Sequence, residues 1–152
     1  MKNAFRIICI RPMDYCLLGM RWKNIYCYDR CMPMGCSGSC KTFETLSTAM
    51  ECIAQSKLRI NHIIHLLDDF LISAKSESLC QDQLNLFLEL CSYLGIPIAP
   101  EKTCGPATTL CFAGIELDSV SFEARLPLDK IDKCLSLIAN FLTRKEVTLK
   151  EI

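Results

Sequence analysis

The chain has 152 residues, and 51% of them are apolar when cysteine and tyrosine are counted. That length suits a single domain-sized core, and that composition excludes an intrinsically disordered segment. Seventeen basic residues balance seventeen acidic ones, so no overall charge draws the chain to nucleic acid.

Residues 4–10, AFRIICI, read as a short strand. Segments 15–21 and 25–29 read as the arms of a hairpin around Trp22-Lys23-Asn24, and 31–40, CMPMGCSGSC, as a loop punctuated by Pro33, Gly35 and Gly38. A helix is expected over 40–57, because Phe43, Leu46, Met50, Ile53 and Ala54 recur at three- and four-residue steps and make one apolar face. Residues 62–67 and 70–74 are apolar and β-prone with Asp68-Asp69 between them, which predicts a tight hairpin with both acids at its tip. A second helix is expected over 77–94. Leu79, Gln83, Leu86, Leu90 and Leu94 form its stripe, Leu84, Phe87 and Cys91 widen it, and Gly95 ends it.

Strand signals return at 109–117 and 120–126. A third helix is expected from Pro127 to 143, burying Ile131, Leu135, Ile138 and Leu142; proline at a helix start forfeits no hydrogen bond. Thr148 and Glu151 have capping-box spacing, so a further helix is expected to open there. The order predicts an α+β fold, antiparallel hairpins with helices on one sheet face. It also reads as truncated at both ends, starting inside one element and stopping as another begins. No apolar run reaches membrane-spanning length, since the longest, 62–74, is broken by two aspartates.

Twelve cysteines are many for this length. No signal-like segment precedes them, and Cys9, Cys52, Cys91, Cys111 and Cys134 stand in apolar runs. They read as reduced, buried thiols of an intracellular protein, cytoplasmic or nuclear. Cys27, Cys31, Cys36 and Cys40 cluster in sequence, but they lack the short knuckle of a zinc site and read as unpaired thiols.

The pair Asp68-Asp69 is the one candidate for metal chemistry. Adjacent like charges beside apolar residues need water or cations. A surface turn answers that need, because aspartate favours turns; so does a divalent ion, because Mg²⁺ prefers carboxylate oxygens. A two-metal site needs more acids than two, so at least one further ligand must come from another strand. His62 and His65, three apart on a strand, face opposite ways, and each is expected to pack in the core or make a local polar contact rather than share a metal. No phosphate-binding loop, dinucleotide fingerprint or nucleophilic triad occurs.

Five landmarks follow one another along the chain: Ala4-Phe5-Arg6; Met32-Pro33-Met34-Gly35 with Ser39; Leu67-Asp68-Asp69; Gly95-Ile96-Pro97 with Lys102; and Phe112-Ala113-Gly114-Ile115. In this order and spacing the chain resembles the palm of a reverse transcriptase, most of all those of retrotransposons that encode a tyrosine recombinase. The resemblance implies a partial palm over residues 1–126, with 127–152 opening the following connection or thumb. It implies RNA-directed DNA synthesis on a primer-template from deoxynucleotides, with Mg²⁺ held by Asp68 and Asp69 in an intact parent. Phe5 matches the residue that screens the sugar 2′ position. Met34 and Gly35 match the loop against the incoming nucleotide and template, and Lys102 matches a lysine near the triphosphate. Phe112 and Gly114 match the primer grip. Leu66, Met34 and Cys40 depart from the tyrosine, glutamine and proline common in the family. The family's first palm aspartate stands four residues before the Ala-aromatic pair, directly ahead of Met1. The 152-residue chain is therefore expected to be inactive alone. The alternative is a non-catalytic interaction module or inert remnant.

Overall fold

Helix α1 (Ser39–Lys57) buries Ser39, Phe43, Ser47, Met50 and Ala54, the rhythm that keeps one helical face turned inward. It is the central helix of a computed structural model that describes residues 1–144 and Thr148. The fold is α+β, and the chain divides into two units, Met1–Pro106 and a second from Ala107 onward.

In the first unit, β1 (Gly19–Trp22) and β2 (Ile25–Tyr28) form one antiparallel ribbon, and β3 (Ile63–Leu66) and β4 (Asp69–Ile72) another. Helix α2 (Glu77–Tyr93) begins at Ser76, whose hydroxyl accepts from the Leu79 N–H at 3.3 Å, a side-chain cap for an otherwise orphaned donor. Both helices pack on the β3–β4 ribbon, α1 against β3 and α2 against β4. The strand register puts Ile63, His65, Phe70 and Ile72 on one ribbon face. There Ile63 joins Met50, Ala54, Ile60, Phe87, Cys91 and Ile96 in the main core, and the Phe70 and Phe87 rings meet at 4.9 Å.

Three expectations change here. The strand at 4–10 is a 3₁₀ turn over Ala4–Ile7, followed by an extended piece that bridges Cys9 to Cys31. A strand needs a partner for its backbone groups. Residues 4–7 instead bond locally from Asn3, in the left-handed region at φ 52, with Arg6 N–H donating to Asn3 O at 2.8 Å. The first arm of the early hairpin likewise begins only at Gly19, because 12–18 winds as a 3₁₀ turn. Along α2, Phe87 and Cys91 are the buried positions, while Leu79, Leu86 and Leu94 are exposed; contact with Phe70 turns the buried face toward Phe87.

In the second unit, the run 109–117 is two strands, not one. The strands β5 (Thr109–Phe112), β6 (Ile115–Asp118) and β7 (Glu123–Arg125) form an antiparallel sheet in that order. Ala113 and Gly114 make the β5–β6 turn with φ 51 and 79, the two left-handed residues that a tight hairpin requires. Asp118 shapes the next turn by accepting from the Val120 and Ser121 N–H groups at 2.9 and 3.0 Å. These bonds hold its carboxyl below the usual range. Helix α3 (Leu128–Leu142) forms as expected but buries none of its residues. Ile131, Leu135, Ile138 and Leu142, expected inside, are exposed, because no other helix of this unit is described to cover them. The expected capping pair ends at Glu151, outside the described residues.

Nine of the twelve cysteines are exposed and Cys91 alone is buried. The expectation of buried thiols fails for Cys9, Cys52, Cys111 and Cys134. Cys52 lies across α1 from its buried stripe, and Cys111 alternates outward on β5. Burial pushes the Cys91 thiol up to about 11, despite a smaller opposing pull from the chain's amino terminus. An unfolded chain ionises this thiol near the ordinary thiol value of 9.0 while the folded chain keeps it protonated. Its contribution is therefore intact below pH 9 and is lost as pH rises from 9 toward 11. Cys91→Ala is expected to flatten that alkaline loss, about 2 kcal/mol, in urea melts at successive pH values; an unchanged slope would show that other groups set it.

Candidate functional site

The β3–β4 register pairs Leu66 with Asp69, leaving Leu67-Asp68 as a two-residue turn. The expected acidic hairpin is present, with its acids divided between turn and strand. Asp69 heads β4 on the face with Ile64, Leu66 and Leu71, away from α1 and α2. Asp68 sits in the turn beside the start of the chain. The Met1 amine donates to the Asp68 carbonyl at 3.0 Å and lies 3.9 Å from its Oδ2.

Leu67 takes the left-handed conformation at φ 51, which costs a branched L-residue about 1–2 kcal/mol. Two features of α1 hold it there. Ser47 Oγ donates to the Leu67 carbonyl at 2.6 Å, and the Leu67 side chain packs on the cluster of Ala4, Met32 and Phe43. About two turns back from Ser47, Ser39 Oγ donates to the Pro33 carbonyl at 2.8 Å and ties down the Met32–Gly35 loop. The Phe5 ring lies tilted on Phe43 with centroids 5.0 Å apart. Phe43 is thus a pivot around which three landmarks gather: Phe5, the Met32 loop and the hairpin turn.

Met34 points outward and is 78% exposed. Gly35 has φ 87, and a Cβ there would meet nothing within 4 Å, so backbone conformation rather than crowding selects glycine. Lys102 ends a short 3₁₀ turn, Pro100–Lys102, with its side chain exposed, and no bond among the described residues joins it to the hairpin. Phe112 and Gly114 belong to the second unit, where Lys130 Nζ donates to the Gly114 carbonyl at 2.8 Å. His62 is exposed. His65 lies between Glu51 at Nδ1 and Glu44 at Nε2, the latter 3.1 Å away, and stacks on Phe70. It is a local polar contact of the kind expected.

Among the described residues, no group of three or more His, Cys, Asp or Glu side chains is gathered to hold a metal ion. Asp68 and Asp69 are hard oxygen donors of the kind Mg²⁺ takes, but two carboxylates on diverging aspects of one hairpin fall short of a two-metal set. The supporting roles of Ser47 and Ser39 leave only a faint signal in the sequence, one small hydroxyl residue four positions to each side of Phe43 beside an otherwise apolar stripe. No helix among the described residues is long and apolar enough to cross a membrane. No protein-family model matches the chain, and no curated protein matches it.

Proposed function

We propose that the chain is a palm region of a retrotransposon-type RNA-directed DNA polymerase, whose partners are a primer-template and deoxynucleotides. One observation carries this reading: the acidic turn lies against the Met1 amine, 3.9 Å from Asp68 Oδ2. The resemblance assigns a further metal-binding aspartate to the residue joined through that amine, so an acid attached there would stand beside Asp68. Phe5 and the Met32–Gly35 loop converge on the same pivot, as a nucleotide-facing surface requires. The palm-like sheet arrangement belongs to this proposal, as does an intracellular setting, which suits twelve free thiols.

In this reading the 152-residue chain is no catalyst by itself, because two acids cannot carry two-metal phosphoryl transfer. With Mg²⁺, deoxynucleotides and a primed RNA template it is expected to extend no primer. Extension abolished by Asp68→Asn would overturn that expectation. The palm assignment itself is tested by joining an aspartate to Met1 and titrating Mn²⁺; no gain over an added asparagine would refute it.

The unburied stripe of α3, with Leu135 58% and Ile138 54% exposed, favours a second reading, a non-catalytic interaction module. That reading expects the chain to self-associate or to hold a partner through α3. Sedimentation of the wild type against Leu135→Glu/Ile138→Glu decides it: a monomer in both cases, with no partner released by the change, counts against it.

A further inference from the structure

We infer that Cys9 and Cys31 form a redox-responsive pair, a modification site at which an anionic small-molecule disulfide of the glutathione type closes a cross-strand bond. The two residues stand directly opposite each other in an antiparallel bridge. The flanking bonds, Ile10 N–H to Arg30 O at 3.0 Å and Met32 N–H to Ile8 O at 2.9 Å, enclose the pair rather than join it. That pattern marks the narrow, non-hydrogen-bonded site, where Cα atoms lie about 4.5 Å apart and both side chains leave the same face. A disulfide spans about 4.4–6.8 Å between Cα atoms, so closure needs no large backbone movement.

Reactivity and access agree with the geometry. Both thiols are free, Cys9 exposed and Cys31 half-buried. Among the described residues no other two cysteines are register partners: Cys27 faces Met20 and Cys111 faces Glu116. Arg6 is paired with Asp29 and Arg30 is held chiefly by Tyr15, and both guanidinium groups also feel the Cys31 sulfur. The net positive charge of Arg6, Asp29 and Arg30 together favours approach of a carboxylate-bearing disulfide.

The step balances as thiol–disulfide exchange. The Cys9 sulfur, having lost its proton, attacks oxidised glutathione, forms a mixed disulfide and releases one reduced glutathione. The Cys31 sulfur, likewise deprotonated, attacks the Cys9 sulfur and releases the second. The cysteine pair loses two electrons and two protons, and the glutathione disulfide takes both up. Closure ties 8–10 to 30–32 and so restrains Ala4 and Met32, the two residues buried with Phe43.

The wild-type chain is incubated with oxidised glutathione at neutral pH, alkylated without reduction, digested with trypsin and sequenced by mass spectrometry. The expected product joins peptide 7–21 to peptide 31–41, with fragmentation assigning the bond to Cys9 and Cys31 rather than to Cys16, Cys36 or Cys40. Its yield is expected to exceed that in concentrated urea by about tenfold, because the fold raises the effective concentration of one thiol at the other. Cys9→Ser removes the product and Cys16→Ser leaves it. Glutathione adducts on both sulfurs without a bond between them, or equal yields in the native and urea-unfolded chain, would overturn the assignment.

Discussion

Phe43→Ala is expected to cost about 3–5 kcal/mol of folding stability, a large share of the roughly 5–15 kcal/mol that holds a domain together. Phe43 is 0% exposed, and among the described residues its cluster has two other buried members, Ala4 and Met32. Alanine leaves a ring-sized void lined by Phe5, Leu46 and Leu67. The void cannot close easily, because α1 is fixed by Met50 and Ala54 in the main core and Leu67 by its bond to Ser47. Phe43→Leu keeps most of the volume and is expected to cost about 1.5 kcal/mol or less. Urea melts followed by circular dichroism read both. A Phe43→Ala loss below about 1 kcal/mol, the range of ordinary surface changes, would show that the three landmarks do not depend on this ring. Amide exchange at 66–69 gives a second readout, since loosening the pivot exposes the turn before the rest of the chain unfolds.

The sequence made helices and hairpin turns legible because each depends on neighbours close in the chain. α1 forms within a residue of its expected start, since its periodicity survives the one serine, Ser47, that interrupts the stripe. Gly95 ends α2 with φ 69, as a glycine past a helix end should. What failed depended on partners distant in the chain. The segment 4–10 has strand composition, yet only Cys9 finds an opposite residue. The stripe of α3 has a core-facing rhythm, yet rhythm does not say what will cover it. Cysteine type suggested burial at positions whose side chains the register turned outward.

The candidate site divides along the same line. Asp68 and Asp69 were legible as a hairpin pair because the apolar runs on either side are local. Their separation into turn and strand follows from the single-residue register of Leu66 against Asp69, which composition does not encode. Ser47 was illegible as a support of the turn, since its partner Leu67 lies twenty residues away.

An aspartate joined to Met1 is expected to raise Mn²⁺ affinity about tenfold or more, since carboxylate number sets the affinity of hard cations over several decades. Two effects combine, and controls separate them. In the 152-residue chain the Met1 ammonium stands 3.9 Å from Asp68 Oδ2, on a side chain that is 37% exposed, and so competes with any cation at the turn. At that separation unit charges in water interact by about 1 kcal/mol, which corresponds to roughly a fivefold change in binding. Any added residue turns this ammonium into a neutral amide and moves the new amino terminus outward. An added asparagine therefore gains the electrostatic part alone, while aspartate also supplies a third carboxylate beside Asp68. The expected order is added aspartate above added asparagine above the original chain, read from the free-ion Mn²⁺ electron spin resonance signal. Asp68→Asn in the aspartate-extended chain is expected to return affinity to the asparagine level or lower. Equal binding by both extended chains would mean that the residue ahead of Met1 reaches no shared ion. Binding indifferent to Asp68→Asn would place the ion elsewhere.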